Sequence, residues 1–144
     1  MNVLLVENRE AFWSDLYARL LVTCCTPFAV NSARDARRIL TLLVFDLVIC
    51  DQELQDGDGI ELFRGGIEGV AGPVKILVAQ RGGINSISDA VMAGVDDIVE
   101  KPFCLSHLIA RLSKRLCLSG CSPPQHLWSA FQPQPILPPA VARP

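Results

Sequence analysis

A chain of 144 residues holds one compact domain and a short tail, since domains of about 100 to 150 residues are the commonest size. Half of the residues are hydrophobic and 19% are charged, which excludes general disorder. The net charge of −2, with no basic cluster beyond Arg37-Arg38 and Lys114-Arg115, gives no electrostatic footprint for nucleic acid.

The first apolar run, Val3 to Val6, follows no basic segment and is too short for a signal peptide or a membrane span. A cytoplasmic location is therefore expected, with no membrane partner. The run reads as a strand over residues 2 to 7. Asn8 then stands as N-cap of a helix from about 9 to 22, in which Phe12, Leu16 and Leu20, with Trp13 and Tyr17, recur at helical spacing. Pro27 restarts the chain as a short strand, Phe28-Ala29-Val30. Ser32 caps a second helix near 33 to 43, with Ala36, Ile39, Leu40 and Leu43 facing inward and Arg34, Arg37 and Arg38 outward.

The third strand is 46 to 50, a continuous apolar run that ends on Asp51. A short helix starts near Asp58 or Gly59 and stops at Gly65-Gly66. Pro73 opens the fourth strand, Val74 to Val78. After the loop Gln80-Arg81-Gly82-Gly83, a helix from about Asn85 to Met92 ends in a turn at Gly94. The last strand is 96 to 100, followed by Lys101-Pro102-Phe103. A helix to about Leu118 then carries Leu105, Leu108, Ile109, Leu112 and Leu116 at helical spacing.

Five short apolar runs alternating with helices predict an α/β domain with a parallel sheet over residues 1 to 118. Residues 119 to 144 hold seven of the ten prolines and read as an irregular, polyproline-like tail. The six cysteines are expected as reduced thiols, because no export signal is read, the core looks sufficient without disulfides, and the Cys/His spacing does not suit zinc.

Glu7, Asp51 and Lys101 each close a strand, and the carboxyl ends of parallel strands are where such sheets carry their chemistry. Each taken alone has an ordinary reading: Glu7 or Asn8 as a strand-end or capping residue, Lys101 as a solvated charge, Asp51 as a turn residue. Together they define one candidate pocket. Asp56, Asp58, Asp96 and Asp97 read as turn and cap residues.

The string Asp46-Leu47-Val48-Ile49-Cys50-Asp51, the pair Asp58-Gly59 and the segment Gly94 to Phe103 resemble the receiver domain of two-component response regulators. That resemblance implies a flavodoxin-like, doubly wound five-stranded parallel sheet of order 2-1-3-4-5 with five helices. It implies that Asp51 accepts a phosphoryl group from a histidine kinase or phosphotransfer protein and that Lys101 grips a phosphoryl oxygen. Mg²⁺ would be held by Glu7, Asn8, Asp51 and the carbonyl of Glu53. No enzymatic activity is implied beyond self-catalysed phosphoryl transfer and hydrolysis. The output would be contact with a downstream protein, or homodimerisation, through the fourth helix, fifth strand and fifth helix.

Four positions depart from the family pattern. Asn8 replaces an acid, Val78 a hydroxyl residue, Ile98 an aromatic and Gln55 a proline. Metal binding should be weakened, and the coupling between hydroxyl and aromatic is missing. A degenerate receiver that docks a partner independently of phosphorylation is thus the alternative reading. A flavin- or nucleotide-binding enzyme on the same kind of sheet is disfavoured, because Glu7-Asn8-Arg9-Glu10 offers no phosphate cradle after the first strand.

Overall fold

A computed structural model of the chain describes residues 1–8, 10–21, 25–67, 72–83 and 87–118, with side chains described as far as residue 112. The expected tail, 119–144, lies outside the described residues. Five strands form one sheet: β1 (Asn2–Val6), β2 (Thr26–Val30), β3 (Leu47–Asp51), β6 (Val74–Gln80) and β7 (Asp97–Lys101). All neighbours are parallel, in the order β2-β1-β3-β6-β7. This is the flavodoxin-like order 2-1-3-4-5 among the long strands. Five helices accompany them: α1 (Ala11–Leu21), α2 (Ala33–Leu42), α3 (Ile60–Arg64), α4 (Ile87–Met92) and α5 (Leu105–Leu118).

Apolar runs become central strands because parallel strands are buried on both faces. Alternation along β1 sends Val3 and Leu5 into a core layer with Trp13, Leu16, Leu20, Leu108, Ile109 and Leu112 from α1 and α5. Leu4 and Val6 enter the opposite layer with Ala36, Phe45, Leu62 and Phe63. Helices thus cover both faces, and only loops are left at the carboxyl ends of the strands.

Local chemistry sets the helix ends. Ser32 is the N-cap of α2 and its hydroxyl accepts the Asp35 amide at 3.1 Å. Gly94, at φ +84°, closes α4 as its N–H meets the Val91 carbonyl. Two expectations shift. Leu43 is 40% exposed instead of facing inward, because α2 ends at Leu42 and Leu43 has extended backbone. The helix expected from residue 9 begins at Ala11, since Asn8 accepts the Glu10 amide in a turn that precedes it.

A further feature was not foreseen: β4 (Glu53–Leu54) and β5 (Gly57–Asp58) pair antiparallel as a small hairpin. It folds the segment after Asp51 back on itself, so that the Gly59 N–H donates to the Gln52 carbonyl at 2.7 Å. Among the described residues, no helix is long and apolar enough to cross a membrane.

Candidate functional site

The two-residue period of a strand decides which side chains meet. Asp51 lies two positions past Ile49, Lys101 two past Val99, and Glu7 two past Leu5, all on the face that packs against α1 and α5. In the sheet register Asp51 stands beside Val78, and Val78 beside Val99. Lys101 is therefore two strands over from Asp51 and two residues further along. Its long stem bridges back, and Nζ lies 2.6 Å from Asp51 Oδ2. The other oxygen, Oδ1, accepts the Glu53 N–H at 3.0 Å. Asp51 is 1% exposed, so this carboxylate is held almost wholly by protein groups.

The same ammonium reaches a second carboxylate. Lys101 Nζ is 2.6 Å from Glu10 Oε1, and the Asn8 amide donates to that oxygen at 2.8 Å. The Phe12 ring lies 5.5 Å from the nitrogen and itself meets Phe103 edge-on at 5.2 Å. Burial acts to lower the Lys101 pKa, but the hydrogen bonds and charges of Asp51 and Glu10 outweigh it and hold the group above the ordinary lysine value. Burial likewise acts to raise the Glu10 pKa, and hydrogen bonds from Lys101 and Asn8 bring it below the usual carboxylate value.

Sequence reasoning brought Glu7, Asp51 and Lys101 to one pocket; Lys101 and the Glu53 N–H each contact Asp51 directly. Sequence reasoning passed over Glu10. Glu7, half-buried, lines a cleft of about 300 Å³ with Trp13, Ser14, Tyr17 and Ala29. The carboxylate from the β1–α1 loop that joins Asp51 at Lys101 is Glu10. The signal that could have found it is the Asn8-x-Glu10 spacing, which suits an Asx turn presenting residue 10 at the strand end.

The remaining aspartates tie the loop down. Asp56, at the tip of the β4–β5 hairpin, accepts the amides of Ala33 at 2.8 Å and Arg34 at 3.0 Å, capping α2 from a distant part of the chain. These backbone hydrogen bonds, Ala33 first, lower the Asp56 pKa. Asp58 Oδ1 accepts the Ile60 amide at the start of α3, and Asp96 Oδ2 accepts the Lys75 amide. A folded-state pKa below 3.8, the ordinary value, gives a contribution fully present above pH 3.8 and lost as pH falls through the depressed value. Asp56→Ala should accordingly destabilise the domain by about 0.5–1 kcal/mol at pH 7, the site being exposed. The difference from wild type should shrink in urea melts as pH is lowered from 7 to below 3.8, and a difference that does not change with pH would remove Asp56 as a charged cap.

Cys25, Cys50 and Cys104 are free thiols. Burial, and then the charges of Asp51, Asp58 and Asp56, push the Cys50 thiol up, so beside Asp51 it stays protonated and donates to the Asp51 carbonyl at 3.2 Å. Cys104 is exposed, with Sγ 3.1 Å from Ser106 Oγ.

Glu7, Asn8, Asp51 and the Glu53 carbonyl offer only oxygen donors, the kind that suits Mg²⁺, an ion that keeps several waters and needs one or two carboxylates. Among the described residues no three His, Cys, Asp or Glu side chains are gathered to hold a metal by themselves. Any ion here would thus rely on a carbonyl and water as well.

An α/β sheet with a buried aspartate and a bridging lysine at its carboxyl edge is the arrangement of a signalling receiver. The profile of the response regulator receiver domain matches residues 3–113, and the chain belongs to that family. It is 34% identical over 113 residues to the swarming motility regulation protein RssB of Serratia marcescens, covering 78% of this chain and 51% of that protein. It is 35% identical over 111 residues to the KDP operon transcriptional regulatory protein KdpE of Escherichia coli (strain K12), covering 77% and 49%. The chain thus spans about half the length of the curated relatives it matches. The receiver domain of the TMAO respiratory system response regulator TorR superposes with a TM-score of 0.72 at 25% identity, covering 81% of this chain and 97% of that one.

Proposed function

We propose that this receiver domain takes a phosphoryl group onto Asp51 from a histidine kinase or phosphotransfer protein and signals by protein contact in the cytoplasm. The observation that carries this reading is the Lys101 ammonium 2.6 Å from a 1%-exposed Asp51 at the carboxyl end of the central strand. A carboxylate oxygen of Asp51 attacks phosphorus and an acyl-phosphate O–P bond forms. The N–P bond of the donor phosphohistidine breaks, and the imidazole leaves with the electron pair and takes up a proton. Such transfers need positioning and charge neutralisation above all. Lys101 supplies one positive charge to a phosphoryl oxygen, and the Glu53 N–H fixes the carboxylate.

Receiver domains in general bind Mg²⁺, which adds positive charge against the phosphoryl oxygens when present. Glu7, Asn8, Asp51 and the Glu53 carbonyl would hold it here, with an amide oxygen in place of one carboxylate. The domain carries no enzymatic activity beyond transfer to and hydrolysis from its own Asp51. Response regulators act with histidine kinases and downstream effectors. The surface we assign to a downstream protein, or a second copy, is the cleft of about 720 Å³ lined by Ile87, Ile98, Phe103, His107 and Arg111. Neither nucleic acid nor membrane is a direct partner of this domain.

Acetyl phosphate with Mg²⁺ should add one phosphoryl mass to the wild-type protein and none to Asp51→Ala, read by intact mass spectrometry. Adduct of equal yield on both proteins would move the acceptor elsewhere. A second reading, phosphorylation-independent docking, is favoured by Val78, which is fully buried beside Asp51 in register and brings no hydroxyl to the pocket. Under it, Asp51→Ala would bind the downstream partner as tightly as wild type in the presence of donor.

A further inference from the structure

Lys101 serves two carboxylates at once, and they are not equivalent. Nζ stands 2.6 Å from Asp51 Oδ2 and 2.6 Å from Glu10 Oε1. The Asp51 side chain is 1% exposed and sealed in, whereas that of Glu10 is 38% exposed and can leave. Asn8 fits this arrangement. One orientation of its amide both accepts the Glu10 N–H at 3.3 Å and donates to Glu10 Oε1 at 2.8 Å. An aspartate at position 8 would set a carboxylate oxygen against the Glu10 carboxylate and repel it, so the neutral amide at 8 is matched to the acid at 10.

We propose that Glu10 is a positioning residue that competes for Lys101, holding the ammonium until a phosphoryl group on Asp51 displaces it. This rests on the phosphoacceptor reading above. Two oxygens that share one nitrogen at 2.6 Å cannot be further apart than twice that distance. A phosphoryl group on Asp51 brings three oxygens carrying about −1.5 to −2 charge into the same space. Glu10 is then repelled by the group that Lys101 must hold. It swings away from Lys101 within the cleft of about 370 Å³ that Glu10 and Lys101 themselves line together with Phe12, Gln80, Pro102 and Phe103. The ammonium passes from one anion to the other, and Glu10 thereby sets the threshold for phosphorylation.

The test compares wild type, Glu10→Gln and Glu10→Ala for the rate of acetyl phosphate uptake at fixed Mg²⁺ and for beryllofluoride affinity. Both variants should accept the phosphoryl group roughly two- to fivefold faster and bind beryllofluoride tighter by a similar factor, the range expected for a partly exposed ion pair. The gap should narrow as salt is raised, a response that a merely structural role would not give. Thermal melts confirm that the variants are folded. Rates equal to or below wild type in both variants would overturn the competition while leaving Asp51 as acceptor. Absence of adduct on wild type and variants alike would overturn the phosphoacceptor reading and the competition with it.

Discussion

Lys101→Met should destabilise the domain by about 3 kcal/mol at pH 7, because it leaves the Asp51 carboxylate buried with the Glu53 N–H as its remaining partner among the hydrogen bonds described above. The methionine fills much of the lysine stem, so the loss is electrostatic in origin and not a cavity effect. Adding Asp51→Asn should restore most of the stability, since the uncompensated charge is then gone. Urea denaturation of the two single variants and the double variant measures this coupling, and additive losses would mean that the pair contributes nothing. Asp51→Asn alone should cost less than Lys101→Met, as Lys101 keeps Glu10 and reaches solvent through its exposed side. In wild type, the raised folded-state pKa makes the lysine's contribution fully present below pH 10.5, the ordinary value, and draining as pH rises through the folded value.

Gly59→Ala is expected to be the second severe change. A Cβ at this position would lie 2.0 Å from the Asp51 carbonyl oxygen and 2.8 Å from Cys50 Sγ. The backbone of Gly59 is ordinary helical, φ −60°, so space and not conformation demands the glycine. The obstructing atom is main chain of the central strand and cannot step aside as a flexible side chain would. Either α3 and the β4–β5 hairpin shift outward or Asp51 moves, and overpacking of this kind costs about 3 kcal/mol. For a domain of this size that is roughly 10 °C in melting midpoint. Phosphoryl acceptance should fall together with stability, since the clash is made with the acceptor residue itself. A variant melting within about 2 °C of wild type, roughly half a kcal/mol, would mean that the contact is relieved at no cost.

Much of the architecture was readable because parallel strands write themselves as unbroken apolar runs. Val3–Val6, Leu47–Cys50 and Ile76–Ala79 are buried on both faces, and the charged residues Asp51, at the end of the second run, and Lys101, at the end of β7, follow by two-residue counting. Ser32 and Gly94 carry local chemistry that needs no tertiary context, and both do what their residue types favour. What escaped the sequence depends on long-range placement. Glu10 reaches Lys101 across ninety-one positions through the turn that Asn8 makes. Asp56 reads correctly as a capping residue, but the helix it caps is twenty-three residues upstream. The boundary of α2 is a matter of where a cap falls, and hydrophobic spacing alone carried the helix one residue too far, to Leu43.

Glu10 also bears on the departures from the family pattern. Asn8 on its own reads as a lost metal ligand. Beside Glu10 it is a hydrogen-bond donor to an anion, so the loop after β1 retains a second acid, placed two residues later and directed at lysine. Val78 has no such counterpart in the described contacts and keeps the docking alternative in play.

The most direct test is to locate the phosphoryl group. Acetyl phosphate-treated protein is reduced with borohydride, which converts an acyl phosphate to the alcohol, then digested and sequenced by tandem mass spectrometry. The account predicts reduction at Asp51 alone, dependent on the donor. Reduction at another carboxylate, or at none while the protein remains folded, would contradict it.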